Sequence, residues 1–194
     1  HCVYITHQLY PILPKRLHLL QPLARALHAC IYKRYHEVWV PDYADSEQNL
    51  SGALSHGGRF DKKAKYIGPL SRLEGSKGSK GSKVLAILSG LEPQRTIFEK
   101  EILQRYEHSS ESLLLVRGKV SEPKTTIQKG NITIIPSISD AELVSAVAEA
   151  QKIIARSGYS TIMDLEALGI LHKAELHPTP GQSEQEYLAE WHMK

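Results

Sequence analysis

Late in the chain an apolar run, Lys152-Ile153-Ile154-Ala155, leads into Arg156-Ser157-Gly158-Tyr159-Ser160-Thr161-Ile162-Met163-Asp164. This order predicts a strand, a Ser-Gly turn and a fresh helix, and such a turn suits a phosphate. The first N–H groups of a helix lack intrahelical acceptors, the helix dipole puts partial positive charge there, and Ser160 and Thr161 add hydroxyl donors. One turn further on, Asp164 is placed to accept from sugar hydroxyls. Three more loops are candidates by residue type: Ser89-Gly90-Leu91-Glu92-Pro93-Gln94-Arg95, Arg117-Gly118-Lys119 and Ser137-Ile138-Ser139-Asp140. Each alone is explained equally well by turn geometry, with glycine for the tight bend and Ser or Asp as a helix cap. Together they bring hydroxyls, glycines and three arginines to one place if their elements align.

The elements that must do the positioning read as alternating strands and helices. From Val84 onward the pattern predicts strands at Val84–Leu88, Ser112–Val116, Ile132–Ile135 and Lys152–Ala155. Helices are predicted at Pro93–Tyr106, Asp140–Ala148 and Ser160–Leu168, and a last one at Glu184–Trp191. Short apolar runs between helical stretches imply a parallel sheet with helices on both faces, a Rossmann-like α/β arrangement whose ligands bind beyond the carboxyl ends of the strands. All four loops fall on that edge. Before Val84, a strand at Cys2–Thr6, a helical stretch from Leu17 to Tyr35 interrupted by Pro22, and a strand at Glu37–Val40 imply one further βαβ unit. Residues Tyr43 to Lys65 read as a long polar surface loop, with a short strand at Lys65–Ile67 after it. Gly-Ser-Lys occurs three times in succession from Gly75, a composition without apolar surface to bury, so 74–83 reads as a flexible connector between segments 1–73 and 84–194.

The 194 residues include two widely separated cysteines, which excludes a disulfide framework and a Cys-based zinc site. No apolar run approaches the ~20 residues of a bilayer span. The net charge of +3 is unevenly spread: no acidic residue occurs from His1 to His36, while Lys15, Arg16, Arg25, Lys33 and Arg34 do. That segment either meets a polyanion or membrane surface or is simply a solvated helix face. Basic and aromatic residues are not interleaved, which argues against nucleic acid.

The Ser89–Arg95 and Ser137–Asp140 loops, the Ala155–Asp164 string and Pro178-Thr179-Pro180-Gly181-Gln182-Ser183-Glu184-Gln185-Glu186-Tyr187-Leu188-Ala189 together resemble the carboxy-terminal donor-binding domain of glycosyltransferase family 28. That family has the GT-B architecture and includes the peptidoglycan N-acetylglucosaminyltransferase. The resemblance covers Val84 to the end well and Cys2 to Arg72 loosely. It implies a donor-binding domain at 84–194 and, at 1–73, a remnant of the acceptor-side Rossmann-like domain, most of which is expected to be missing. It further implies an inverting transfer of sugar from a nucleotide diphosphate, with a UDP-sugar favoured, to a hydroxyl acceptor such as a lipid-linked or cell-envelope glycan. No metal or cofactor is expected, and the implied location is the cytoplasm, at the inner face of the membrane.

Carried over by residue, Ser89, Gly90 and Arg95 face the donor diphosphate and Gly118 lies alongside. Ile138 meets the base through its backbone. Arg156, Ser157, Gly158, Ser160 and Thr161 form the turn and helix start below the phosphates, and Asp164 binds the ribose. Gln182, Glu184 and Gln185 address the donor sugar. His7, in a Thr6-His7-Gln8 loop similar to one lining the family's acceptor side, is the candidate general base, with a packed structural histidine as its alternative. Two other functions stay open: a non-catalytic nucleotide- or polyanion-binding module, and a nucleotide-sugar epimerase of GT-B type.

Overall fold

The computed structural model describes residues 1–45, 47–58, 64–73 and 81–193. They group into two compact units, one of His1–Leu70 with Gly158–Met163 and Pro178–Lys194, the other of Ser71–Ser157 with Asp164–His177. Residues 74–80 of the expected connector lie outside the described residues.

The first unit is built on a three-stranded parallel sheet with β2 (Glu37–Val40) between β1 (Val3–Ile5) and β3 (Ala64–Tyr66). Helix α1 (Gln21–Tyr32) crosses from β1 to β2 and buries Ala29 and Tyr32 against Leu9, Tyr10, Val38 and Val40. Pro22 does not interrupt this helix as its sequence suggests. It stands in the first turn, where its missing N–H costs nothing and its fixed φ suits the helix, and only a short 3-10 turn, Lys15–Leu20, precedes it. Leu23, Leu27 and Ile31 of α1 are exposed, and so is Leu19 in the turn before it.

The expected surface loop after β2 is in part a second core. Leu50, Ser51, Gly52, Leu54 and Ser55 are buried because the fully buried carboxylate of Asp42 satisfies the backbone around them. It accepts from the N–H groups of Tyr43 (2.7 Å), Leu50 (2.8 Å) and Ser51 (2.9 Å) and from the Ser51 hydroxyl. Helix α5 (Ser183–His192) closes over the same loop: Ala53 N–H donates to the Tyr187 hydroxyl at 2.7 Å, and Trp191 Nε1 donates to the Asn49 carbonyl at 3.3 Å.

The second unit is a six-stranded sheet in the order β6-β7-β5-β4-β8-β9. The strands are β4 (Lys83–Ile87), β5 (Leu113–Val116), β6 (Ile127–Lys129), β7 (Ile132–Ile135), β8 (Ala150–Arg156) and β9 (Ala174–His177). All pairings are parallel except β6 with β7. The antiparallel hairpin strand β6 departs from the purely parallel expectation. All three of its residues are exposed, so it carries no alternation by which to recognise it. Helix α2 (Gln94–Tyr106) packs Phe98, Ile102 and Tyr106 on Val84, Ala86, Leu113 and Leu115. Leu85 and Leu114, pointing the other way, line a groove with Ser145 and Ala146 of α3 (Asp140–Ala148).

Strand β9 is polar yet fully paired to β8. Burial pushes its Glu175 carboxyl up, but hydrogen bonds from Arg105, Lys152 and His177 outweigh that and hold it at about 2. Among the described residues no helix is long and apolar enough to cross a membrane.

Candidate functional site

In the second unit the chain order reverses at β4, which leads outward to β5 and β7 on one side while β8 lies on the other. A crevice beyond the carboxyl ends of strands forms at such a switch point. The loop after β4 holds Ser89 and Gly90 exposed, with Gly90 at φ +93°, a conformation that favours glycine. Arg95, in the first turn of α2, reaches across to the loop after β5 and donates from Nη1 to the Gly118 carbonyl at 3.0 Å. Gly118 itself has φ +68°, and a Cβ there would lie 2.4 Å from the Leu88 carbonyl oxygen. Ser89, Gly90, Arg95 and Gly118 are thus gathered at one edge.

A carboxylate of the same Ser89–Arg95 loop sits among them. Glu92 accepts from Arg95 at 2.9 Å and from the hydroxyl (2.7 Å) and N–H (3.2 Å) of Thr96. Those bonds, the Thr96 hydroxyl first and Arg95 next, lower its pKa to about 2. The amino end of α2 therefore already carries its own anion, and part of the Arg95 charge is engaged by it.

Arg156 does not join this edge. Its side chain turns inward, 6% exposed, with the guanidinium carbon 4.0 Å from the Phe98 ring centroid and Nη2 donating to the Gln94 carbonyl at 3.2 Å. Burial lowers its pKa from the usual guanidinium value. Ser157 is fully buried, its N–H given to the His177 carbonyl at 3.1 Å. The pair thus anchors the end of β8, a packing role that an Arg-Ser-Gly string does not advertise. Asp164 is half-buried in α4 (Tyr159–Ala167) and accepts from the Ser71 hydroxyl at 2.6 Å. Ile138, after β7, lines the groove under α3, which has a volume near 550 Å³ and contains none of the other predicted residues.

The remaining predicted residues belong to the first unit. Gly158 precedes α4, with Ser160 exposed and Thr161 half-buried in its first turn. Gln182, Glu184 and Gln185 open α5. The two amides serve the Pro178–Gly181 bend: Gln185 Oε1 accepts from Thr179 N–H at 2.8 Å, and Gln185 Nε2 donates to Gln182 Oε1 at 2.6 Å. Glu184 points elsewhere and meets His7 Nε2 at 2.8 Å.

His7 is held by its loop. Thr6 N–H donates to the Trp39 carbonyl at 3.0 Å, Gln8 N–H donates to the Thr6 hydroxyl at 3.0 Å, and buried Leu9 and Tyr10 pin the far end of the loop. The imidazole lies flat on Tyr159, ring centroids 4.1 Å apart and planes at 9°. Tyr159 donates its hydroxyl to the Pro41 carbonyl at 2.9 Å, and burial, with the negative Asp42 nearby, pushes its phenol well above the usual range. No partner for His7 is evident along the chain because Glu184 is 177 positions away. Among the described residues no group of three or more His, Cys, Asp or Glu side chains is arranged to hold a metal.

No family model matches the sequence, and no curated protein matches it. Solved structures do. CalG4, the calicheamicin glycosyltransferase, aligns at TM-score 0.52 and 14% identity over 97% of this chain and 57% of its own. The glycotransferase of kitacinnamycin aligns at 0.51 and 12% identity over 99% of this chain and 62% of its own. The chain therefore spans less than two thirds of the length of either structure. At such identities the likeness is one of fold, and the fold this chain shares with them is that of the GT-B glycosyltransferases.

Proposed function

We propose that the chain is the donor-binding part of an inverting glycosyltransferase that moves a sugar from a nucleotide diphosphate, UDP favoured, to a hydroxyl acceptor. Residues 84–194 carry the donor role and 1–73 the acceptor role. The observation that supports this most is the Arg95 bridge to the Gly118 carbonyl, which couples the start of α2 to the loop after β5. Displacement at the anomeric carbon leaves a nucleoside diphosphate whose charge grows as the bond breaks. Fixed backbone dipoles and a held guanidinium stabilise that charge without having to reorganise. Half-buried Asp164 accepts from the ribose, and His7 takes the acceptor proton.

Incubation of the chain with radiolabelled UDP-glucose and UDP-N-acetylglucosamine, with separation of the products, tests the reading. Label transferred to a hydroxyl acceptor supports it. Conversion of one UDP-sugar into its epimer instead replaces it with the epimerase reading.

A peripheral membrane contact is the second reading, supported by α1 and the 3-10 turn before it. Leu19 is 96% exposed, Leu23, Leu27 and Ile31 are exposed behind it, and Arg16, Arg25 and Arg34 lie in the same acid-free segment. Apolar and cationic groups in one stretch are what an anionic lipid surface binds. This reading requires salt-sensitive sedimentation with phosphatidylglycerol vesicles that survives Arg95→Ala.

A further inference from the structure

The carboxylate of Asp164 is held by a short segment that precedes the whole second sheet in the chain. Ser71 donates its hydroxyl to Asp164 Oδ1 at 2.6 Å. A carboxylate only accepts, so the single Ser71 proton is committed to it, while the Ser71 oxygen accepts from the Leu73 N–H at 3.0 Å. The hydroxyl is therefore fixed from both sides. The segment is itself pinned, since Leu73 is buried and Arg72 donates from Nε to Asp140 Oδ2 at 2.8 Å. Asp140 is the first residue of α3, two positions beyond Ile138, and the Arg72 charge lies close enough to act on the Asp164 carboxylate as well. Residues 71–73 thus link the start of α3 to a carboxylate of α4. Asp164 Oδ2, by contrast, accepts from none of the described residues. It is also not among the buried polar atoms that lack a partner, so solvent reaches it.

We infer that Ser71 is the positioning residue for Asp164: it ties one carboxylate oxygen so that the other is presented to the ribose hydroxyls, and it thereby sets how strongly the site distinguishes ribose from deoxyribose. The inference rests on the donor reading for the identity of the nucleotide and goes beyond it in the role given to Ser71. The last torsion of an aspartate is broad, so a carboxylate on a helix turns easily unless one oxygen is tied. A tie already made in the free protein spares binding the entropy of ordering that side chain. It also leaves Asp164 a single free acceptor for the sugar. A hydroxyl that merely competed with ribose for the carboxylate would act in the opposite sense, because its removal would free an acceptor.

Calorimetric titration of the full chain with UDP and with 2′,3′-dideoxy-UDP tests this, the ratio of the two dissociation constants being the ribose preference. Wild type should favour UDP by ~10–10²-fold, the worth of a hydrogen bond to a charged acceptor. Ser71→Ala should lower that preference by ~3–10-fold, since Asp164 remains but is no longer held, and should leave the dideoxy affinity unchanged. Ser71→Cys keeps the space but donates poorly and should repeat the loss, whereas Ser71→Thr keeps the hydroxyl and should retain the preference. An unchanged or raised preference in Ser71→Ala overturns the inference and leaves the donor reading standing. Equal weakening of both nucleotides does the same, because it marks a purely structural role for residues 71–73, and so does a loss in Ser71→Thr as large as that in Ser71→Ala. Equal affinity of wild type for the two nucleotides removes Asp164 from the ribose and the inference with it. Failure of wild type to bind UDP at all overturns the donor reading and the inference together.

Discussion

Replacing Gly118 by alanine tests the geometry on which the proposed donor edge depends. At φ +68° an L-residue pays about 1–2 kcal/mol. The added Cβ would stand 2.4 Å from the Leu88 carbonyl oxygen, an atom that cannot move aside. Leu88 is buried, and its N–H is tied to the Val116 carbonyl at 2.8 Å. An overpacked contact of this kind costs a further ~1–3 kcal/mol. Stiffening the unfolded chain returns about 0.4–1 kcal/mol. The net loss is then about 1–5 kcal/mol. Gly130 is the control: its φ is +56°, yet nothing lies within 4 Å of its added Cβ, so only strain and chain stiffening apply. Its loss should be about 0–1.6 kcal/mol. Thermal unfolding monitored by circular dichroism at 222 nm should place Gly118→Ala below Gly130→Ala by the contact alone, ~2–12 °C for a chain of this size. Equal midpoints for the two variants would refute the argument, since they would show that the loop after β5 gives way without cost.

Ser139→Ala should cost about 1 kcal/mol, because Ser139 and Glu142 form a reciprocal capping box on α3, and Ser139→Gly should cost only a few tenths; melting midpoints distinguish them. Glu175→Gln should remove an acid-dependent part of stability. The folded carboxyl is held at about 2 against an ordinary 4.5, so its contribution is complete above 4.5 and lost as pH falls from there toward 2. The variant should lose about 1 kcal/mol at pH 7 and show a flatter decline in urea midpoints below pH 4.5. A wild-type decline no steeper than the variant's would contradict the ion-pair account.

The legibility of each element in the sequence depends on the range of its signal. Strands β4, β5, β7 and β8 are short apolar runs, and α3 starts on a Ser-x-x-Glu box, so local pattern locates all of them. Strand β6 escapes because Ile127, Gln128 and Lys129 are all exposed and have no buried face to alternate with. The Asn49–Ser55 segment looks like surface because most of its residues are polar or small. It is buried because the carboxylate of Asp42 satisfies its N–H groups, a compensation visible only in three dimensions. The same applies within the site. Arg156 ends a strand and precedes a Ser-Gly turn, as a phosphate ligand would, but Phe98 takes its guanidinium. His7 and Glu184 are both singled out by residue type and motif, yet only the fold joins residues so far apart in the chain.

The most direct test of the central claim is calorimetric titration of the folded chain with UDP, GDP and dTDP, repeated with Arg95→Ala. The account predicts saturable binding of UDP in preference to the other two and a loss of about 1.5–3 kcal/mol in the variant, the worth of a hydrogen bond to a charged group. Failure of all three nucleotides to bind, or UDP binding that Arg95→Ala leaves unchanged, would contradict it.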